Sequence, residues 1–211
     1  MLEVHMPQGL EVRVLSWAQN RNYILKTMRY VHQDECMTNL RKNLDEIIHT
    51  NGGDNWWRPE LFLKYTKNKL PTKIEVLENP QKYNDNYNCF IYALGLNNDK
   101  DLIKNCSGFI YDTFFQKLLN ERILEYTNNP QKGDYIFYKD LEKHPNMITH
   151  VGVLEDEDTV VSKWAWGPLL RHKIFDVPES YGNDTSYVKA IPKEKAKELY
   201  EKYKKFNKKS N

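Results

Sequence analysis

Cysteine is scarce in this chain, which has three: Cys36, Cys89 and Cys106. An odd number without a Cys-x-x-Cys pair suggests neither a disulfide framework nor a zinc ribbon, and leaves at least one thiol free. Long apolar runs are also missing. No stretch approaches the roughly 20 apolar residues of a membrane span, and nothing at the amino terminus combines a basic start, an apolar core and a small-residue cleavage site. The expectation is a chain that is cytoplasmic as synthesised, with export or delivery by a route needing no signal peptide left open. Nor is there an excess of one charge. With 31 Lys+Arg against 29 Asp+Glu the net charge is +2, which argues against a protein whose main task is neutralising a nucleic-acid backbone. Hydrophobic residues make up only 40%, but 14 Tyr, 8 Phe and 5 Trp raise the aromatic share to 13%, so the core is expected to rest on large rings.

What is present divides into three stretches. Leu10, Val12 and Val14 alternate as in a strand, and Ser16 caps a helix with Trp17, Ile24, Met28 and Val31 on one face. Cys36, Leu40, Leu44 and Ile47-Ile48 predict a second helix, with Cys36 in its core face, ended by Asn51-Gly52-Gly53. Trp56-Trp57-Arg58-Pro59 opens a third helical piece, with proline at a tolerated first-turn position. Pro71, Pro80 and the polar run 82–88 read as a loop, and place a domain border near residue 78. At the other end, residues 192–211 carry eight Lys against three Glu, with Ala196, Leu199, Tyr203 and Phe206 at helical spacing. This is a basic terminal helix and tail. It either packs a thin apolar stripe on the domain or docks on an anionic polymer.

Between these, Cys89 precedes the apolar run Phe90-Ile-Tyr-Ala-Leu94, with Asp85, Asn86 and Asn88 as caps, and so falls in a first helical turn. There the free backbone amides and the helix dipole favour a thiolate and can hold an oxyanion. Taken alone, such a cysteine is more often a buried, inert side chain. Cys106 stands at the start of a helix expected over 107–126 and is assigned a structural role. After Pro130 three antiparallel strands are expected within about thirty residues, over 135–138, 148–154 and 159–163. His150 lies among apolar neighbours on the second, as a core histidine or as an imidazole presented to a cleft.

Three segments, Asn-Tyr-Asn-Cys89-Phe, Gly133-Asp-Tyr-Ile-Phe-Tyr138 and Thr-His150-Val-Gly-Val, resemble in order and spacing the permuted papain-like cysteine hydrolases, the NlpC-type cell-wall peptidases and CHAP amidases. The resemblance spans residues 84–190. It implies an α+β fold with a papain-like core, a Cys-bearing helix on a small antiparallel sheet; the mainly helical region read from periodicity over 1–78 lies outside the resemblance and precedes it. The hydrolase domain would occupy 79–191 and the basic tail 192–211. It also implies a peptide or peptidoglycan-stem substrate, cleaved through a thioester with Cys89 as nucleophile and His150 as base, and without a cofactor or metal.

The third member of such a site, usually His, Asn or Gln one hairpin after the base, corresponds here to Ser162, twelve residues after His150. Serine can bond an imidazole but brings no charge. His172 is the alternative. The pattern Ser162-Lys-x-x-x-Gly167…His172…Tyr181-Gly182 is similar to that of a poorly characterised group of the same superfamily, although a surface histidine in a loop explains His172 equally. Tyr87 and Asn88 correspond to oxyanion-hole positions. Trp164 and Trp166, two apart on an extended segment, would floor a substrate cleft or else be buried core residues. The competing readings are a non-catalytic binding module on the same scaffold, an intracellular protein-modifying effector, and a nucleic-acid-associated protein acting through its tail.

Overall fold

The run Tyr135-Ile-Phe-Tyr138 and the β-branched pairs of 151–161 favour extended chain, and in the computed structural model they become the centre of a six-stranded sheet. The structure describes residues 38–82, 85–105 and 110–207. The strand over 10–14, the helix capped by Ser16, Cys36 and Cys106 lie outside them. One helix, α1, covers residues 38–49 and ends as expected, with Asn51, Gly52 and Gly53 all at positive φ. Short helical pieces follow, α2 over Asp54–Trp57 and α3 over Pro59–Leu61, with Pro59 at the first turn.

Strands β1 (Glu75–Glu78), β2 (Tyr135–Lys139), β3 (His150–Leu154), β4 (Thr159–Lys163), β5 (Leu169–Lys173) and β6 (Asp184–Val188) pair in the order β1-β5-β4-β3-β2-β6. Every pairing is antiparallel. The three expected strands are present. The second begins at His150 rather than Ile148; just before it the Thr149 amide donates to the Tyr138 carbonyl at 3.0 Å. The helix expected over 107–126 is shorter among the described residues. It runs Asp112–Asn120 and stops where Arg122 takes φ 56°, after which Tyr126 forms a bridge to Val188.

Both faces of the sheet are covered, so its central strands are buried along their length. On one face lie the helices over Cys89–Ala93 (α4), Lys100–Asn105 (α5), Asp112–Asn120 (α6) and Lys193–Asn207 (α7). Their apolar residues form one cluster with Tyr135, Phe137, Val151 and Val188. The rings expected from composition carry it: Phe115 sits 5.4 Å from Phe90, 5.9 Å from Tyr135 and 5.5 Å from Phe137. The basic helix presents Ala196, Leu199 and Tyr203 to this core, as its spacing predicts.

Trp56 marks how the helical pieces join the sheet. Its indole N–H donates to the Trp164 carbonyl at 3.1 Å, and the two rings stack at 6.0 Å. The border expected near residue 78 lies at the end of β1, which pairs with β5. Gly167 makes the Trp56 contact possible, since a Cβ there would lie 2.0 Å from Trp56 Nε1. Gly167→Ala is therefore expected to lower unfolding free energy by about 2–4 kcal/mol, through displacement of the indole, measured by urea denaturation. An unchanged midpoint would contradict this packing.

Candidate functional site

Asn88 fixes where α4 begins. Its Oδ1 accepts the Ile91 amide at 3.0 Å and its Nδ2 donates to the Ile110 carbonyl at 3.0 Å, a side-chain cap that leaves Cys89 as first helical residue. With both ends of its amide engaged, Asn88 serves the backbone. Asn86 holds the preceding loop, donating to the Trp166 carbonyl at 2.7 Å and accepting the Tyr87 amide.

Cys89 is buried, and its thiol behaves opposite to the expectation from helix position. The amides of Val151, Phe90 and Cys89 itself pull the sulfur toward thiolate, yet burial outweighs them and pushes its pKa up to about 12. The dipole of a helix of five residues is too small to reverse that desolvation. The thiol is neutral as folded.

His150 opens β3 opposite Tyr138 and is 1% exposed. Its ring stacks on Tyr181 at 4.0 Å and 14°, and its Nε2 has no hydrogen-bond partner. Burial first, and His172 second, push its pKa well below the ordinary value of 6.5. Cys89 and His150 are therefore close in the fold: the sulfur lies near the amide of Val151, the very next residue, and Tyr181 is near both. The period-2 alternation of a strand nevertheless sends the His150 side chain off β3 on the Gly152 face, opposite that of Val151.

Ser162 and His172 meet each other rather than His150. Trp164 Nε1 donates to Ser162 Oγ at 3.0 Å, and Ser162 Oγ lies 2.8 Å from His172 Nε2. The other ring nitrogen, Nδ1, is 2.8 Å from the Lys173 carbonyl. A carbonyl only accepts, so Nδ1 carries the proton, Nε2 accepts, and the Ser162 hydroxyl donates to it. The serine is thus committed, and the orienting bond expected from it to His150 is not made. His172 is a buried residue of β5, not a loop histidine; burial pushes its pKa down to about 4.

The two tryptophans part company. Trp164 is fully buried against Trp56 and Ser162, whereas Trp166 is 42% exposed. Ala165 at φ 49° turns the chain between them, so they do not floor one cleft. Tyr87 donates from its hydroxyl to Glu78 at 3.1 Å and lines a cavity of about 230 Å³ with Glu78, Gln81, Asp85, Asn97 and Lys100. Among the described residues no cluster of His, Cys, Asp and Glu is arranged to hold a metal ion.

Two residues escaped the sequence reading. Lys163 is fully buried, its Nζ unpartnered and 4.4 Å above the Tyr87 ring, and burial pushes its pKa down to about 7. Both faces of β4 are buried, so strand alternation could not mark it. Tyr181 is the other; only its place in the pattern ending Tyr181-Gly182 pointed to it.

Both histidines protonate less readily folded than unfolded, so their contribution to stability is complete above pH 6.5. It is lost as pH falls through 6.5 toward the folded value of about 4 for His172. The loss from His172 is about 3 kcal/mol, with His150 adding in the same direction. Chemical denaturation across that window is expected to show the drop, and His172→Leu to flatten it; a wild-type stability independent of pH there would contradict the burial. Lys163 acts in the same direction at higher pH. Its charged form is disfavoured in the fold, so stability rises from pH 7 to 10.5. Lys163→Met is expected to stabilise by on the order of 4 kcal/mol at pH 7, with the gain shrinking as pH approaches 10.5. No stabilisation at pH 7 would mean the amine is paired or hydrated.

Neither a curated protein nor a solved structure matches the chain. One family does match, over residues 78–189, more than half of the 211, from the last residue of β1 through β6. The chain belongs to that family, described as a domain of unknown function (DUF7689).

Proposed function

We propose that the domain is a thiol-dependent amide hydrolase, with Cys89 as nucleophile and His150 as general base, acting on a peptide or peptidoglycan-stem amide through a thioester. The observation that carries this reading is the unpartnered Nε2 of a buried His150, one residue from the amide against which the Cys89 sulfur lies. A buried polar atom without a partner costs about 1–3 kcal/mol, and such atoms are retained where the chemistry needs them. Three backbone amides turned toward the sulfur supply, in addition, donors for a developing oxyanion.

The chemistry suits a neutral pair. His150 is unprotonated at pH 7 and so is able to take the thiol proton as the sulfur attacks the carbonyl carbon. The same proton then passes to the departing amine as the C–N bond breaks, leaving a thioester on Cys89. Water, deprotonated by His150, hydrolyses it and returns the thiol. Reaching that arrangement requires the imidazole and the sulfur to turn toward one another, which a substrate entering between Tyr181 and α4 would bring about.

A second reading, a binding module on the same scaffold, draws support from the thiol at about 12 and from the commitment of Ser162 to His172. An intracellular protein-modifying effector would use the same pair on a different substrate. The lysines of α7 offer a surface for an anionic polymer in either case, since the apolar side of that helix is already buried. Among the described residues no helix is long and apolar enough to cross a membrane.

The test is turnover of peptide amides and stem-peptide amides, with mass spectrometry of the intact protein for an acyl adduct. Cys89→Ala is expected to lower turnover by about 10³-fold or more at unchanged melting temperature, and the adduct to map to Cys89. Undiminished turnover in Cys89→Ala would contradict the reading, and the absence of adduct with every substrate would favour the binding module.

A further inference from the structure

The residues between β5 and β6 form a strap, Ile174 to Asn183, whose course is dictated by α1. Arg41 donates from Nε to the Val177 carbonyl at 3.1 Å and from Nη2 to the carbonyls of Pro178, at 3.2 Å, and Gly182, at 2.6 Å; Nη1 reaches Asn183 Oδ1. Four positions of the strap are thus tied to one buried guanidinium, whose rigid fork suits that geometry. One turn further along α1, Asp45 accepts the Ser180 amide at 2.9 Å and the Ser180 hydroxyl at 2.6 Å. From the sheet side, Thr149 Oγ1 donates to the Tyr181 carbonyl. Gly182 closes the strap with φ 91°, and a Cβ there would lie 2.0 Å from the Lys139 carbonyl oxygen, so only glycine permits this approach to β2.

All these ties converge on the residue at the strap's inner edge. The Tyr181 ring lies parallel to His150 at 4.0 Å and edge-on to Trp164 at 6.1 Å. Its hydroxyl is buried without a partner, while the residue as a whole keeps some exposure. It is therefore the outer layer over the imidazole. The Cys89 sulfur lies close by, against the amide of Val151, the residue after His150, and acts electrostatically on the Tyr181 hydroxyl.

We propose that Tyr181 is the positioning residue of the Cys89–His150 site: on a strap clamped by Arg41 and Asp45, its ring fixes the imidazole plane by stacking and closes the thiol from solvent. The role is the one that a polar third residue would otherwise fill, and Ser162 is not available for it. The functional consequence rests on the hydrolase reading, in which the strap is what a substrate carbonyl must displace to reach the sulfur. The closure itself does not depend on turnover. A single displacement of the strap uncovers both reacting groups together, so access and assembly are governed by one element.

Iodoacetamide alkylation of the native protein at fixed pH, quantified at Cys89 by peptide mapping, tests the closure without needing a substrate. Tyr181→Ala is expected to speed Cys89 alkylation about tenfold by opening the outer layer, and Tyr181→Phe, which keeps the ring, to react at the wild-type rate. Asp45→Ala, which frees Ser180 but leaves the site residues intact, is expected to give a smaller, several-fold increase, and decides the matter should Tyr181→Ala fail to fold. Wild-type rates in folded Tyr181→Ala or in Asp45→Ala would overturn the proposal, as would a Tyr181→Phe rate equal to that of Tyr181→Ala. Because alkylation reads closure and the Cys89→Ala turnover experiment reads catalysis, either idea can fail alone.

Discussion

Water is kept away from Cys89 and His150, and that exclusion governs the chemistry of both. Desolvation acts on each in the direction that removes charge, raising the thiol to about 12 and lowering the imidazole. The result is a neutral pair at physiological pH instead of a pre-formed thiolate–imidazolium pair. In the proposed hydrolase reading, proton transfer would then accompany attack, and its barrier would be set by how the two side chains are brought face to face. The same exclusion extends along the sheet to His172 and Lys163, both buried and both shifted toward neutrality.

The architecture that excludes water is built from both faces of one antiparallel sheet. α4 delivers Cys89 from one side, held by the Asn88 cap, while the aromatic cluster around Phe115 fixes α6 and α7 behind it. On the other side Trp56, Trp164 and the Ser162–His172 hydrogen bonds form a fully satisfied polar and aromatic layer. Such a layer contributes rigidity because every donor in it has one geometry available. The strap from β5 to β6 closes the end of this sandwich at Tyr181, and Arg41 holds the strap through four of its positions.

Much of this was legible in the residues, and the failures have definite causes. The strands over 135–139 and 159–163, the cap before Cys89 and the stop at Asn51-Gly52-Gly53 follow from local chemistry, which a sequence displays directly. The partner of Ser162 does not, because position along a hairpin cannot tell whether a hydroxyl meets the imidazole on β3 or the one on β5. The thiol was expected to be acidic because helix position is visible in the sequence, while the degree of burial is set by elements distant in the chain. Trp164 and Trp166 were paired by alternation, which fails once Ala165 turns the backbone through a positive φ. The Arg41 clamp was invisible for a similar reason, since its contacts span more than 130 residues, as the Arg41–Val177 bond does, whereas Tyr181 was marked only by its place in a pattern.

The account stands on the claim that His150 takes the proton of Cys89, and the pH dependence of Cys89 alkylation by a chloroacetyl peptide amide tests it most directly. With His150 as base, the rate is expected to stay constant down through pH 6.5, to fall only well below it, and to drop about 100-fold in His150→Gln. A rate that climbs about tenfold per pH unit toward 12, and is indifferent to His150, would identify an isolated buried thiol and contradict the account.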